Sequence, residues 1–226
     1  MAVITISREY GCAGELVAAK LSKQLNYKYV NKELIEYIAI LIGVPKEMVE
    51  KYDEDMHSSF KAFMSKYFDI SMFKDIFEKV EEAEKEVKVL DDEDLFGNRS
   101  SVTRVIDSEI FHSMVERLIT KLAEEDNVII LGRGAQCVLQ HFGRAFHFRL
   151  YADFEDRIRW VSENESISKE DAKKKIIEID KRKRNFVEHY YKRNIEDGSL
   201  YHLLINMSKV SIDGAVSIIS QIVRYF

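Results

Sequence analysis

The chain has 226 residues, of which 46% are hydrophobic and 32% charged, with a formal net charge of −5. Such a length suits one α/β domain with an insertion or two small domains, and the composition excludes a disordered chain. The acidic balance argues against a general nucleic-acid binder, two cysteines exclude a disulfide scaffold, and no apolar run approaches the roughly 18 residues of a membrane span.

Cys12 and Cys137 are read as reduced thiols, which fits a cytoplasmic setting. No basic stretch followed by an apolar segment marks a signal peptide at the N-terminus. The single proline, Pro45, points to long helices and few stiff loops.

In chain order, Val3, Ile4 and Ile6 around Thr5 form a short β-branched run suited to a parallel strand. Gly11 and Gly14 follow, and both allow positive φ and close backbone approach. Leu16, Val17, Leu21 and Leu25 are then spaced as one buried helical face. A strand, a glycine turn and a helix start place unpaired N–H groups where an anion can sit. Laid over the phosphate-loop pattern G-x-x-x-x-G-K-[ST], Arg8 takes the first glycine, Ala13 the second, Gly14 the lysine and Glu15 the hydroxyl residue. The lysine is therefore missing. These residues fit an anion-binding loop and an ordinary strand–helix turn alike. The candidates are Ser7, Arg8, Gly11, Cys12, Ala13, Gly14 and Glu15. Glu15 either complements the helix dipole or ligates Mg²⁺ in place of the hydroxyl. Cys12 is either a small loop residue or a thiol acidified by the helix N-terminus.

A second strand is expected over Lys28–Val30, then a helix capped by Asn31 with Glu33 and Glu36 in its first turns. Residues 57 to 88 read as helical. Phe60, Phe63, Tyr67, Phe73, Phe77 and Val80 make a broken stripe that either packs on its own domain or offers a homodimer surface over 57–80. Asp75 to Asp94 holds ten acidic and three basic side chains, as a solvated helix running into a loop would. Gly97, Asn98 and Ser100 mark a loop, and a long helix is expected over Ile106–Glu125.

Asn127–Leu131 reads as a wholly apolar central strand running into Gly132-Arg133-Gly134. Ala145–Tyr151 is a further strand, with Phe146, Phe148 and Leu150 alternating against His147 and Arg149. Residues 153 to 196 read as helical and highly charged, Leu203–Met207 as a last strand and Ile212–Val223 as a closing helix. Strands separated by helices imply a parallel, doubly wound sheet, whose ligands sit beyond the carboxyl ends of the strands. The Ser7–Gly14 loop and the Gly132–Gly134 turn both lie at such ends.

Between Lys169 and Arg184 there are eight basic and four acidic residues. On a helix, residues two apart point about 200° apart, so Arg182 and Arg184 cannot grip one phosphate together. Lys181 and Arg184 are neighbours, as are Asp180 and Arg184, while Arg182 sides with Ile179 and Phe186. The segment is either a solvated surface helix or a basic lid over phosphates, with Arg157 as a further donor. The six histidines show no metal spacing; His189 and His202, isolated among tyrosines, read as surface or structural residues.

Four stretches in order resemble the cytidylate kinase-like family, P-loop relatives of the nucleoside monophosphate kinases. They are Ile4 through Gly14, Val128-Ile-Ile-Leu-Gly-Arg-Gly-Ala135, Asp153 to Arg184, and Leu203-Leu-Ile-Asn-Met-Ser208 with Ser211 and Val216. The resemblance implies an α/β, P-loop NTPase-like fold, a five-stranded parallel sheet flanked by helices with an arginine-rich lid over 153–196; residues 45–100 match no part of it, and a helical insertion over 45–105 on the acceptor side is expected there. The resemblance also implies ATP and Mg²⁺ at the first loop and a nucleoside monophosphate beside it, Gly132 and Arg133 facing the monophosphate. Gly134 stands where true cytidylate kinases carry an aspartate, and Cys12, Ala13 and Glu15 make the loop less cationic than its relatives'. Arg8 is expected to replace the lysine, helped by Arg157, Lys181 or Arg184, with Asp180 and Arg182 in the lid. The function expected is ATP-dependent phosphoryl transfer to a nucleoside monophosphate; the alternative is a nucleotide-binding regulator with little or no transfer activity.

Overall fold

A computed structural model describes residues 2–31 and 108–225. The expected helix after Asn31, the aromatic stripe with its homodimer surface, the acidic run and the loop over 96–101 lie outside the described residues. The chain divides into two compact units, Met1–Asn31 with Leu122–Phe226, and Lys32–Lys121. The sheet belongs to the first.

The strands are β1 (Val3–Arg8), β2 (Lys28–Val30), β3 (Val128–Leu131), β4 (Ala145–Tyr151) and β5 (Leu203–Asn206). Their order is β2-β3-β1-β4-β5, and each neighbouring pair is parallel. The helices are α1 (Gly14–Leu25), α2 (Ser108–Glu124), α3 (Ala135–Val138), α4 (Phe154–Glu165), α5 (Lys169–Tyr191) and α6 (Ile212–Tyr225). β1 and β3 end side by side, with Ile6 opposite Leu131. The loops that follow them therefore emerge together.

β1 and β4 sit inside the sheet, and period-2 alternation sends their side chains to two buried faces. Ile4, Ile6, Phe148 and Leu150 share one core with Val17, Ala18 and Leu21 of α1 and Ala215, Val216 and Ile219 of α6. Thr5, Ser7, His147 and Arg149 take the other face and are all buried as well.

The helical, charged stretch expected over 153–196 forms as two helices, α4 and α5. Ser166 adopts the left-handed region at φ 54°, and Ser168 caps a new helix by accepting from the Asp171 amide. The expectation for Leu16 is corrected: it is 58% exposed, because Gly14, Val17, Ala18 and Leu21 form the buried stripe of α1. Among the described residues no helix is long and apolar enough to cross a membrane.

Candidate functional site

The loop after β1 is held from two sides. The Glu9 amide donates to the Leu150 carbonyl at 3.0 Å, and the Tyr10 amide donates to Asp180 Oδ1 at 2.9 Å. Gly11 has φ +81°, and a Cβ there would meet Val161 Cγ2 at 2.6 Å, so this position needs glycine for conformation and for space. Ala13, not Gly14, carries the second positive φ (59°), as the N-cap of α1. No side chain caps that helix, so its first amides keep their capacity for an anion. Cys12 is fully buried and its thiol donates to the Glu9 carbonyl. Burial pushes the thiol up to about 11, which leaves it a small packed residue and not an acidified one.

Arg8 lies across both glycine turns. A Cβ on Gly14 would stand 2.8 Å from Arg8 Cγ, and a Cβ on Gly132 would stand 2.4 Å from Arg8 Nη1. Two glycines thus clear a path for one guanidinium between the loop after β1 and the turn after β3. Arg8 Nη2 is 3.6 Å from Glu15 Oε1, and Glu15 is 71% exposed. The Glu15 carboxylate is therefore the ion-pair partner of Arg8. No group of three His, Cys, Asp or Glu side chains among the described residues is arranged to hold a metal.

The basic run of α5 sorts by face. Ala172, Ile176, Asp180 and Val187 point inward. Lys183 shares their side, and its Nζ donates to the Arg8 carbonyl at 3.0 Å. It lies 3.7 Å from Asp180 Oδ1 and over the Tyr10 ring. Burial first, and then the neighbouring Arg8 charge, lower its ammonium to about 8. Lys181, Arg182 and Arg184 face solvent. Arg182 pairs with Glu178 at 3.7 Å and Arg184 with Glu196 at 3.6 Å, so the structure does not bring these three to the loop.

Arg157 is at the loop, but its charge is already compensated there. It pairs with Asp180, lies 3.4 Å from Glu9 Oε2 and donates to the Tyr10 carbonyl. It pins α4 to the loop, where a free phosphate donor was expected. Asp180, placed in the lid by the sequence, is the hub of this arrangement.

The turn after β3 has three successive residues in the left-handed region: Gly132, Arg133 and Gly134, at φ 85°, 56° and 69°. The Arg133 guanidinium lies 5.7 Å from the centre of the Phe186 ring. A Cβ on Gly134 would meet Tyr191 Cε2 at 2.3 Å, so Tyr191 fills the space an aspartate would take.

Sequence reasoning missed two residues near the loop. Lys183 was legible from spacing, since 176, 180, 183 and 187 fall on one helical face. Arg149 was not, because a charged residue in an alternating strand reads as solvent-facing. It is 5% exposed, and its Nη1 donates to Ser7 Oγ at 3.3 Å. Four cations, Arg8, Lys183, Arg149 and Arg157, stand against the three carboxylates paired with them, Glu9, Glu15 and Asp180. The surplus of positive charge beside uncapped amides suits a polyanion.

The family model described as "Cytidylate kinase-like family" matches residues 3–209. A cytidylate kinase of Methanocaldococcus jannaschii is 30% identical over 127 residues, covering 55% of this chain and 68% of that protein. A cytidylate kinase of Thermococcus kodakarensis is 34% identical over 114 residues, covering 50% of this chain and 55% of that protein. The crystal structure of an uncharacterized protein from Eubacterium ventriosum covers both chains fully at a TM-score of 0.66 and 20% identity; that likeness is one of fold.

Proposed function

The chain belongs to the cytidylate kinase-like family, and we propose that it is a cytoplasmic phosphotransferase that moves the terminal phosphoryl group of ATP to a nucleoside monophosphate. The observation that carries this reading is the Arg8 guanidinium, set between Gly14 and Gly132 beside an uncapped helix N-terminus, with Lys183 delivered by α5. Phosphoryl transfer asks a protein for positioning and charge neutralisation rather than covalent chemistry. The loop amides between Ser7 and Glu15 would cradle the phosphates. Arg8 would take the charge duty of the missing lysine, and Lys183 would exchange the Arg8 carbonyl for a phosphate oxygen. Arg133, on the neighbouring turn, would orient the acceptor phosphate. A bound Mg²⁺ would neutralise the transferring phosphates, held mainly by phosphate and water oxygens, with Glu15, the ion-pair partner of Arg8, as its protein ligand. In this reading α4 and α5 form the lid, and the insertion over 45–105 serves the acceptor.

Incubation of the protein with ATP and CMP, dCMP, UMP or AMP in turn, reading ADP formation, tests this. We expect turnover that requires one acceptor and falls at least 100-fold in Arg133→Ala. ATP binding with no acceptor-dependent turnover overturns it in favour of a nucleotide-binding regulator. One observation favours that second reading: Arg157 and Lys183, the basic groups of α4 and α5 nearest the loop, are both already engaged by protein oxygens.

A further inference from the structure

Arg149 is a buried cation with no counterion among the described residues. It stands beside Ser7 in the β1–β4 register and is 5% exposed. Among the described residues no carboxylate lies within 4.0 Å of it; its contacts are the Ser7 hydroxyl at 3.3 Å and the Tyr201 ring at 5.9 Å. The Tyr201 phenol donates to the Ile195 carbonyl at 2.7 Å and its oxygen faces Arg149 as an acceptor, but a neutral phenol supplies no countercharge. The contrast with Arg157 is direct. Arg157 is buried to the same degree and has two carboxylates.

A guanidinium carries five N–H donors, and the Ser7 hydroxyl and the Tyr201 phenol oxygen together leave most of them unused. A buried charge is retained without a protein partner at a cost, which a ligand anion can offset. Arg149 also sits close enough to Lys183 to help depress that ammonium, so the two cations share one field. An anion placed between them relieves both.

We propose that Arg149 is a phosphate ligand of the nucleotide site, taking a phosphate oxygen beside Ser7 from the side of the sheet opposite α1. The proposal rests on the phosphate-binding reading above and extends it to a residue outside both glycine turns. The side chain therefore has a binding role, and its cost appears in the unliganded protein as lost stability.

The test is calorimetric titration of inorganic tripolyphosphate and of ATP into the wild type, Arg149→Met and Arg149→Lys, with thermal melting of each unliganded protein. We expect Arg149→Met to weaken both anions at least tenfold while melting at or above the wild-type temperature. Unchanged affinity with a lower melting temperature overturns the proposal, since a packing role predicts that pair. If affinity and melting temperature both fall, Arg149→Lys decides. Recovery of at least threefold in affinity over the methionine variant supports a charge role, and equal affinities overturn it. Wild type that binds tripolyphosphate but not ATP, with the loss in Arg149→Met retained, keeps this inference and removes the nucleotide reading. Wild type that binds neither removes both.

Discussion

The two faces of β1 and β4 are equally buried and differ in kind. On one, Ile4, Ile6, Phe148 and Leu150 pack against α1 and α6 with no polar group among them. On the other, Thr5, Ser7, His147 and Arg149 are packed away from water yet bound to one another. The apolar face gains stability in proportion to area removed from water. The polar face gains little, because each buried polar group must recover the hydrogen bonds it gave up in water. The difference teaches a division of labour: the apolar face holds the loops in place, and the polar face carries groups that stability alone would not select.

The largest expected effect is on the apolar face. Phe148 is fully buried in the core shared with α1 and α6. Phe148→Ala should cost about 3–5 kcal/mol through lost transfer energy and a cavity, read as a shift in urea midpoint. Anion affinity of the folded fraction should stay within twofold of wild type. A larger loss of affinity would mean that the two faces are not separable.

Next comes the polar face under acid. Thr5 Oγ1 and His147 Nδ1 are 2.7 Å apart, and burial lowers the imidazole from its ordinary 6.5 to about 4. Between those values the unfolded chain binds a proton that the native state refuses. The stability contributed by the neutral ring is full above pH 6.5 and is lost as pH falls toward 4, by about 2–3 kcal/mol. His147→Phe should flatten that slope in urea titrations. An equal slope in the variant would assign the acid sensitivity elsewhere.

The glycine turns rank third. Arg8→Met should weaken ATP binding about 10- to 100-fold, the range for a charge-assisted bond. Gly132→Ala should approach the same loss without touching any charge, because its methyl would occupy the place of Arg8 Nη1 and φ is +85° there. Calorimetry on both variants checks this. Gly132→Ala binding as tightly as wild type would show that Arg8 does not need the path between the glycines.

These residues were unequally legible. β2 and β4 were readable to the residue, since β-branched and aromatic runs bounded by turn residues leave little choice of period. Leu16 was misread because apolar character alone does not say which side of a helix a residue faces; Gly14, Val17, Ala18 and Leu21 set that side. The polar face was invisible for a related reason. Alternation is read on the assumption that polar means solvent, and a central parallel strand has no solvent face. The anchoring of α5 could not be read locally, because Tyr10 and Asp180 are 170 residues apart in sequence. Four cations in a row also concealed that three point outward and one inward.

That inward cation makes the smallest and most discriminating prediction. The Lys183 ammonium is lowered to about 8 by burial and by Arg8, so two pH trends of opposite sign follow from one group. In the unliganded protein the native state binds fewer protons than the unfolded chain between pH 8 and 10.5. The contribution of Lys183 to stability therefore rises with pH across that window. Tripolyphosphate binding needs the charged form, so affinity should fall severalfold between pH 7 and 9.5. Lys183→Arg keeps its charge and should hold affinity level over that range; Lys183→Met should bind weakly at both ends. Parallel pH profiles for wild type and Lys183→Arg would place the titrating group elsewhere and leave Lys183 as a strut between α5 and the loop. Divergent profiles make it a phosphate ligand whose resting partner is the Arg8 carbonyl, which ties α5 to the loop through the same atom that would release it.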